Sequence, residues 1–365
     1  MANEGISRRQ CASLVSTAAI GAALAPHAFA QAAAAGAGIS SPPADFDPLP
    51  FVNPELRPMI ASALPMMRGS VTTKEAVIAA RSSRSPLERA PSTGVSIAEK
   101  RIPGKPGDPD VRIYIVNAGP KAQARPAILH IHGGGYILGT AASGLADLQD
   151  LARDLDCVIV TVDYRLAPET AFPGPLEDCY AGLKWLHANV GALGVDPARI
   201  AVKGESAGGG LAAMLAIAAR DRKEVPLAYQ CLIYPMLDDR TGSTVHRPPQ
   251  QGALMWTPQS NRFGWSSFLG IPAGSPQVPA GAVPARTANL EGLPPAFIGV
   301  GTIDLFYEEN LEYARRLAAA GVQVELAIAP GAFHGFTLVR QAKLVQRYES
   351  HMMAALRDGL GLPPA

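Results

Sequence analysis

The sequence predicts an α/β protein with a mostly parallel central sheet and helices on both of its faces. Short apolar runs alternate with helical patterns of ten or more residues, which is typical of repeated β-α-β units. A glycine-flanked serine stands at the junction of one such run and the helical pattern that follows it. The alternation stops over one long aromatic and proline-rich interval, residues 238–295, which indicates an insertion with a function of its own.

The predicted strands are short and rich in branched apolar side chains. In chain order they lie at 111–116, 127–131, 157–163, 200–202, 229–234, 296–300 and 324–329. Helices are predicted at 144–155, 176–190, 207–222, 306–320 and 339–360, with two short helical patches before the first strand at 55–67 and 74–84. Because crossover helices cover both faces of a parallel sheet, this order predicts one large domain at 92–365.

The first thirty residues predict an export signal. Arg8-Arg9 precedes a short apolar run, and Ala28-Phe29-Ala30 places small residues at a cleavage site. The paired arginines resemble a twin-arginine signal, although Cys11 stands where that pattern usually has a large apolar residue. We therefore expect a periplasmic or secreted protein whose mature chain begins at Gln31. Residues 31–91, which are rich in alanine and proline, predict an N-terminal arm.

Composition argues against several classes of partner. The 365 residues include 32 Lys and Arg and 31 Asp and Glu, so a net charge of +1 gives no reason to expect a nucleic acid. No apolar run is long enough to insert the mature chain into a membrane. Cys157, Cys179 and Cys231 are spaced like neither a disulfide framework nor a zinc site, and we interpret them as structural, with a Cys157–Cys179 bridge left open. The oligomeric state is not predicted.

A serine between two glycines is the candidate nucleophile. In the stretch Gly204-Glu205-Ser206-Ala207-Gly208 the serine stands where a small-apolar strand should turn into an alanine-rich helix. That is the context of a nucleophile elbow, in which the glycines permit a sharp turn and the serine hydroxyl stands clear of the sheet. The same pattern also suits a helix that begins with a capping serine.

A run of three glycines predicts a loop that stabilises an oxyanion. Gly133, Gly134 and Gly135 follow a strand, directly after His132. Their backbone N–H groups can point into a cavity, and the N–H of Ala207 is a further donor. A phosphate-binding loop fits poorly because no Lys-Ser or Lys-Thr pair follows the glycines. We interpret His132 as a residue that holds this loop rather than as a base.

His334 is the predicted general base, and Asp304 is the predicted acid that orients it. His334 lies in a turn between the last strand and the last helix, where its ring can reach the top of the sheet. Asp304 ends the preceding strand, and it can also cap the helix that follows. The other acidic candidates are Asp238 and Asp239 at the end of an earlier strand, and the helical Glu308 and Glu309, which are expected to be solvated.

Five motifs together resemble the hormone-sensitive-lipase family of α/β-hydrolases. They are HGGGY at 132–136, DYRLAPE at 163–169, GESAG at 204–208, LPPAFIGVGTID at 293–304 and GAFHGF at 331–336. The resemblance spans about 111–360, and the chain order of serine, acid and histidine is the one expected of α/β-hydrolases. It implies the α/β-hydrolase fold with a helical cap formed by the arm and the insertion at 238–295.

The resemblance also implies a function. Ser206, Asp304 and His334 would form the triad of a carboxylesterase that cleaves short-to-medium-chain esters through an acyl-enzyme, with no metal or organic cofactor. Tyr136, beside the glycine loop, and Glu205, where the family commonly has aspartate, are predicted to border the small-molecule ester. Hydrolysis of an amide, lactone or carbamate at the same triad remains an alternative, as does a non-catalytic binding protein on this scaffold.

Overall fold

One eight-stranded sheet forms the centre of the part of the chain that is described. The computed structural model describes residues 43, 45–82, 89–119, 121 and 123–363. The predicted export signal, residues 1–30, and the first part of the arm lie outside these residues. The strand order across the sheet is β1-β2-β4-β3-β5-β6-β7-β8. In this region β2 runs antiparallel to both of its neighbours, and the other pairs are parallel, so the predicted mostly parallel sheet is confirmed.

The strands have the following bounds: β1 Ile97–Ile102, β2 Val111–Val116, β3 Arg125–Ile131, β4 Val158–Asp163, β5 Val195–Glu205, β6 Tyr229–Ile233, β7 Ala296–Gly301 and β8 Val324–Ala329. The helices are α1 Arg57–Met67, α2 Lys74–Ser82, α3 Leu145–Asp154, α4 Gly174–Ala188, α5 Val190–Leu193, α6 Ala207–Arg222, α7 Pro258–Leu269, α8 Tyr307–Ala319 and α9 Lys343–Gly359. Each helix of the predicted α/β alternation is therefore present at about its predicted place.

Helices cover both faces of the sheet, as predicted. Consecutive residues of a strand point to opposite faces, so Leu129 and Ile128 of β3 belong to two different apolar clusters. The Leu129 cluster includes the buried faces of α4, α6 and α8, and the Ile128 cluster includes those of α3 and α9. All seven residues of β3 are buried, which explains why most of this strand is apolar.

The structure adds one strand that the sequence analysis did not predict. The sequence of β1, IAEKRI, has four exposed residues between a half-buried Ile97 and a buried Ile102. β1 lies at the edge of the sheet, where one side of the strand needs no partner and charged side chains can face water. Its pattern therefore lacks the apolar alternation on which the prediction depended.

The arm and the 238–295 insertion lie against each other. The insertion contains α7, which Thr257 caps through its side chain. The backbone N–H of Met255 donates to the carbonyl of Met67 over 2.7 Å, and that of Val71 donates to Ser260 Oγ over 2.9 Å. No helix in the described residues is both long and apolar enough to cross a membrane.

Candidate active site

Ser206 lies in a strained turn between β5 and α6. Its φ is 56° and its ψ is −120°, a conformation that L-residues rarely adopt. Bulkier neighbours would not fit this turn. A Cβ on Gly204 would stand 2.3 Å from the carbonyl oxygen of Gly208, and one on Gly208 would stand 2.0 Å from that of Ile131. The two glycines thus allow β3, β5 and α6 to approach closely enough to form the elbow.

A chain of hydrogen bonds links Ser206, His334 and Asp304. The hydroxyl of Ser206 lies 2.9 Å from Nε2 of His334, and Nδ1 of His334 lies 2.8 Å from Oδ2 of Asp304. Asp304 is fully buried, and its Oδ1 accepts the backbone N–H of Phe306 over 2.9 Å. Because the carboxylate is held at both oxygens, it orients the imidazole so that Nε2 faces the serine hydroxyl.

The alternative acids are engaged elsewhere. Asp238 forms an ion pair with Arg240 at 2.8 Å, and Asp239 forms one with Arg286 at 2.7 Å. The expectation that Glu309 is solvated is wrong. Glu309 is 4% exposed, and its carboxyl group accepts the backbone N–H of Leu237 over 2.7 Å. Burial raises the pKa of Glu309 well above its ordinary value, and the charge on Asp238 adds to the effect.

The glycine loop approaches the nucleophile closely. A Cβ on Gly133 would stand 3.4 Å from Cβ of Ser206, and a Cβ on Gly134, whose φ is 123°, would stand 2.2 Å from the carbonyl oxygen of Leu138. Gly135 has a φ of 60°, and the indole of Trp256 occupies the place where its Cβ would be. Among the described residues, the backbone N–H groups of Gly133, Gly134, Gly135 and Ala207 donate to no protein acceptor. They remain available to an oxyanion beside Ser206.

His132 supports this loop, as the sequence suggested. Its Nδ1 donates to the carbonyl of Gly133 over 2.8 Å, and its ring stacks on Tyr164 with centroids 4.2 Å apart. The hydroxyl of Tyr164 donates in turn to the carbonyl of His132. Burial lowers the pKa of His132 to about 4, so the ring is neutral near pH 7 and adds no positive charge beside the nucleophile.

Tyr136 is anchored in the protein interior, and its predicted contact with the substrate stays a prediction. Its side chain is fully buried, its hydroxyl donates to the carbonyl of Met236 over 3.0 Å, and its ring stacks on Phe268 at 4.2 Å. Trp265 contacts the same ring edge-on at 5.0 Å. A large aromatic residue is therefore used here to fix the glycine loop to the insertion.

Both carboxylate oxygens of Glu205 contact buried side chains of the protein. Oε1 forms an ion pair with the ammonium group of Lys203, and Oε2 lies 2.9 Å from Nε2 of His130. Burial alone would raise the pKa of Glu205, but Lys203 and His130 outweigh it and hold this pKa well below its ordinary value. These contacts connect the residue before the nucleophile to β3, so Glu205 braces the elbow, and the predicted substrate contact stays a prediction.

Two aromatic rings beside the histidine were not recognised from the sequence. Tyr234 and Phe306 contact the imidazole of His334 edge-on, with centroids 4.9 and 5.0 Å away. Tyr234 directly follows β6, and Phe306 lies two residues after Asp304. Both lie in the segments that follow β6 and β7, beside the triad, and that position is the signal that could have identified them.

Other reactive groups in the described residues do not form a second catalytic cluster. Cys157, Cys179 and Cys231 are buried and free, and burial raises the thiol pKa of Cys157 and of Cys231 to about 12. No group of three or more metal-binding side chains occurs in this part of the chain. A cavity of about 520 Å³ lies between the 238–247 loop and α8, but its lining of charged side chains does not include the triad.

Comparisons with known proteins agree with this geometry. Residues 128–338 match the model of a family described by the alpha/beta hydrolase fold. Esterase LipI of Mycobacterium tuberculosis is 32% identical over 286 residues, which are 78% of this chain and 88% of the relative. Ethyl acetate hydrolase of Pseudomonas putida is 32% identical over 254 residues, covering 67% of this chain and 75% of the relative.

A solved structure extends the likeness to the whole domain. The structure of a bacterial heroin esterase superposes with a TM-score of 0.72 at 39% sequence identity, covering 86% of this chain and 99% of that one. The match of the family model over more than half of the chain, together with these relatives, confirms the resemblance read from the motifs. The chain belongs to the α/β-hydrolase family.

Proposed function

We propose that this protein is a carboxylesterase that hydrolyses carboxylic esters through an acyl-enzyme on Ser206. The observation that carries the proposal is the continuous hydrogen-bond chain from Ser206 through His334 to the buried Asp304. Similarity to proteins named as an esterase and an ethyl acetate hydrolase supports an ester rather than an amide, lactone or carbamate as the substrate.

The geometry assigns each group a step. Nε2 of His334 accepts the proton of the Ser206 hydroxyl as Oγ attacks the ester carbonyl carbon. The negative charge that develops on the carbonyl oxygen is stabilised by the unpaired N–H groups of the glycine loop and Ala207. His334 then donates this proton to the alcohol oxygen, the carbon–oxygen bond breaks, and the alcohol leaves. Water, deprotonated by the same imidazole, then attacks the acyl carbon. The bond from that carbon to Oγ of Ser206 breaks, His334 returns the proton to Oγ, and the acid leaves.

An active-site label tests the proposal. A fluorescent organophosphonate should label the protein stoichiometrically at Ser206, and labelling should be abolished in Ser206→Ala. The unlabelled protein should release p-nitrophenol from p-nitrophenyl acetate, while Ser206→Ala should not. A protein that neither reacts with the phosphonate nor hydrolyses the ester would instead be a binding protein on a hydrolase scaffold.

We also propose that the chain is exported. Support comes from the order of Arg8-Arg9, the apolar run and Ala28-Phe29-Ala30. N-terminal sequencing of the protein from the periplasm of its native host should give a chain that begins at Gln31. Recovery from the cytoplasm with the N-terminus of Met1 or Ala2 would contradict export.

A further inference from the structure

Met255 and Trp256 connect the two loops that flank Ser206. Cε of Met255 lies 3.6 Å from the point where a Cβ on Gly335 would stand, and Gly335 directly follows His334. Cη2 of Trp256 lies 2.0 Å from the corresponding point on Gly135. Two consecutive residues of the insertion thus contact the histidine loop and the glycine loop respectively.

Met255 is exposed in a segment that is otherwise buried. Its side chain is 37% exposed, whereas residues 251–254 and 256–258 are all buried. The backbone fixes this outward position, because Met255 has a φ of 65° and its N–H donates to the carbonyl of Met67. An apolar side chain held in this way beside a catalytic loop offers a surface that a ligand can cover.

Leu338 provides a second apolar side chain at the same place. It is 38% exposed, and its Cδ1 lies 3.9 Å from the same Cβ point on Gly335. Ser206 and His334 themselves are only 7% and 8% exposed. Met255 and Leu338, which come from different elements of the fold, therefore both place an exposed apolar side chain beside Gly335.

We propose that Met255 and Leu338 form the apolar contact surface for the alcohol portion of the ester. The proposal rests on the esterase function proposed above. The carbonyl oxygen of the substrate must face the glycine loop, and the alcohol oxygen must face Nε2 of His334, which gives it a proton. The alcohol is therefore the part of the ester on the side of the histidine loop, where the two exposed side chains lie.

Two series of esters separate the alcohol from the acyl chain. In the first series the acyl group is acetate and the alcohol grows from methyl to hexyl; in the second the alcohol is p-nitrophenol and the acyl group grows from acetate to hexanoate. In the wild type, each methylene buried against the surface should raise kcat/KM up to about fourfold in the alcohol series. Met255→Ala should flatten this increase and leave the acyl series unchanged.

Leu338→Ala tests the same surface from another element, so that a folding defect in one variant does not decide the result. Met353→Ala is the matched control, because Met353 is a partly buried methionine on α9. Two results would overturn the proposed alcohol contact while the esterase function stands: only the acyl series becomes flatter, or both variants keep the wild-type increase in both series. If the wild type hydrolyses no ester of either series, it is the proposed function that fails.

Discussion

Replacement of Asp304 by asparagine separates the charge of the triad acid from its shape. In the native protein Oδ1 accepts the N–H of Phe306 and Oδ2 accepts the Nδ1–H of His334. An asparagine that keeps the first bond must turn its NH₂ group towards His334. That ring then carries its proton on Nε2, where it can no longer accept the proton of Ser206. The fold should survive because the shape of the side chain and the bond to Phe306 are retained.

The expected loss is large and confined to catalysis. We expect kcat of Asp304→Asn to fall by about 10⁴, as the corresponding change does in a well-studied serine protease. This fall corresponds to about 5 kcal/mol of transition-state stabilisation. The assay is the rate of p-nitrophenyl acetate hydrolysis at saturating substrate, accompanied by thermal unfolding followed by circular dichroism.

Asp238→Asn is the matched control for this prediction. Asp238 is the triad candidate that the structure pairs with the half-exposed Arg240, so its replacement should change kcat by less than about tenfold. Nearly wild-type activity in Asp304→Asn, together with an inactive Asp238→Asn, would refute the reasoning. The acid would then follow β6 instead of β7.

Three further predictions follow from contacts of the site and its surroundings. Gly135→Ala should lower the free energy of unfolding by at least about 1 kcal/mol because of the positive φ of Gly135 alone, and it should reduce kcat because Trp256 must move. Gly191→Ala is the control: a Cβ there meets nothing within 4 Å, so neither stability nor kcat should fall. Equal melting temperatures of the two variants would contradict this prediction. The raised pKa of Glu309 means that the folded state binds a proton more tightly than the unfolded state, so stability falls as pH rises above about 4.5. Glu309→Gln should make this fall smaller when the free energy of unfolding is measured by urea titration from pH 5 to 8. An unchanged dependence on pH would count against a raised pKa of Glu309. On p-nitrophenyl esters from acetate to palmitate, kcat/KM should peak at short-to-medium chains, because each added methylene contributes binding free energy only until the pocket is full. Rates that still rise at palmitate would indicate a lipase.

The fold could be predicted because most of the sheet is buried on both faces. Strands such as β3, β4 and β6 are mostly apolar, and the helices between them are long enough to be recognised. The edge strand β1 could not be found in this way, since three of its four exposed residues carry charges that a helix or a loop would carry equally well.

Most residues of the candidate site could also be predicted from the sequence. Ser206, the glycine run and His334 were predictable, because a strained turn, unpaired N–H groups and a histidine on a loop each require unusual residues in a fixed chain order. The prediction of Asp304 over Asp238 and Asp239 depended on the chain order and on the family resemblance, because all three follow a strand and the chain pattern carries no distance to His334. In the structure their contacts separate them, with two carboxylates held by arginines and one by the imidazole.

Tyr136 shows that a large side chain next to a catalytic motif can serve to anchor the catalytic loop. Its neighbours in sequence form the glycine loop, which suggested a place at the pocket, yet its ring lies in the interior between Phe268 and Trp265. A loop of three glycines has few side chains with which to anchor itself, so the first large residue after it must provide that anchor. The exposed apolar side chains that we propose as alcohol contacts are Met255 of the insertion and Leu338, which lies four residues after His334. We therefore expect substrate preference to depend on how the insertion packs on the arm and the catalytic loops, whereas the chemistry of the triad follows from the motifs.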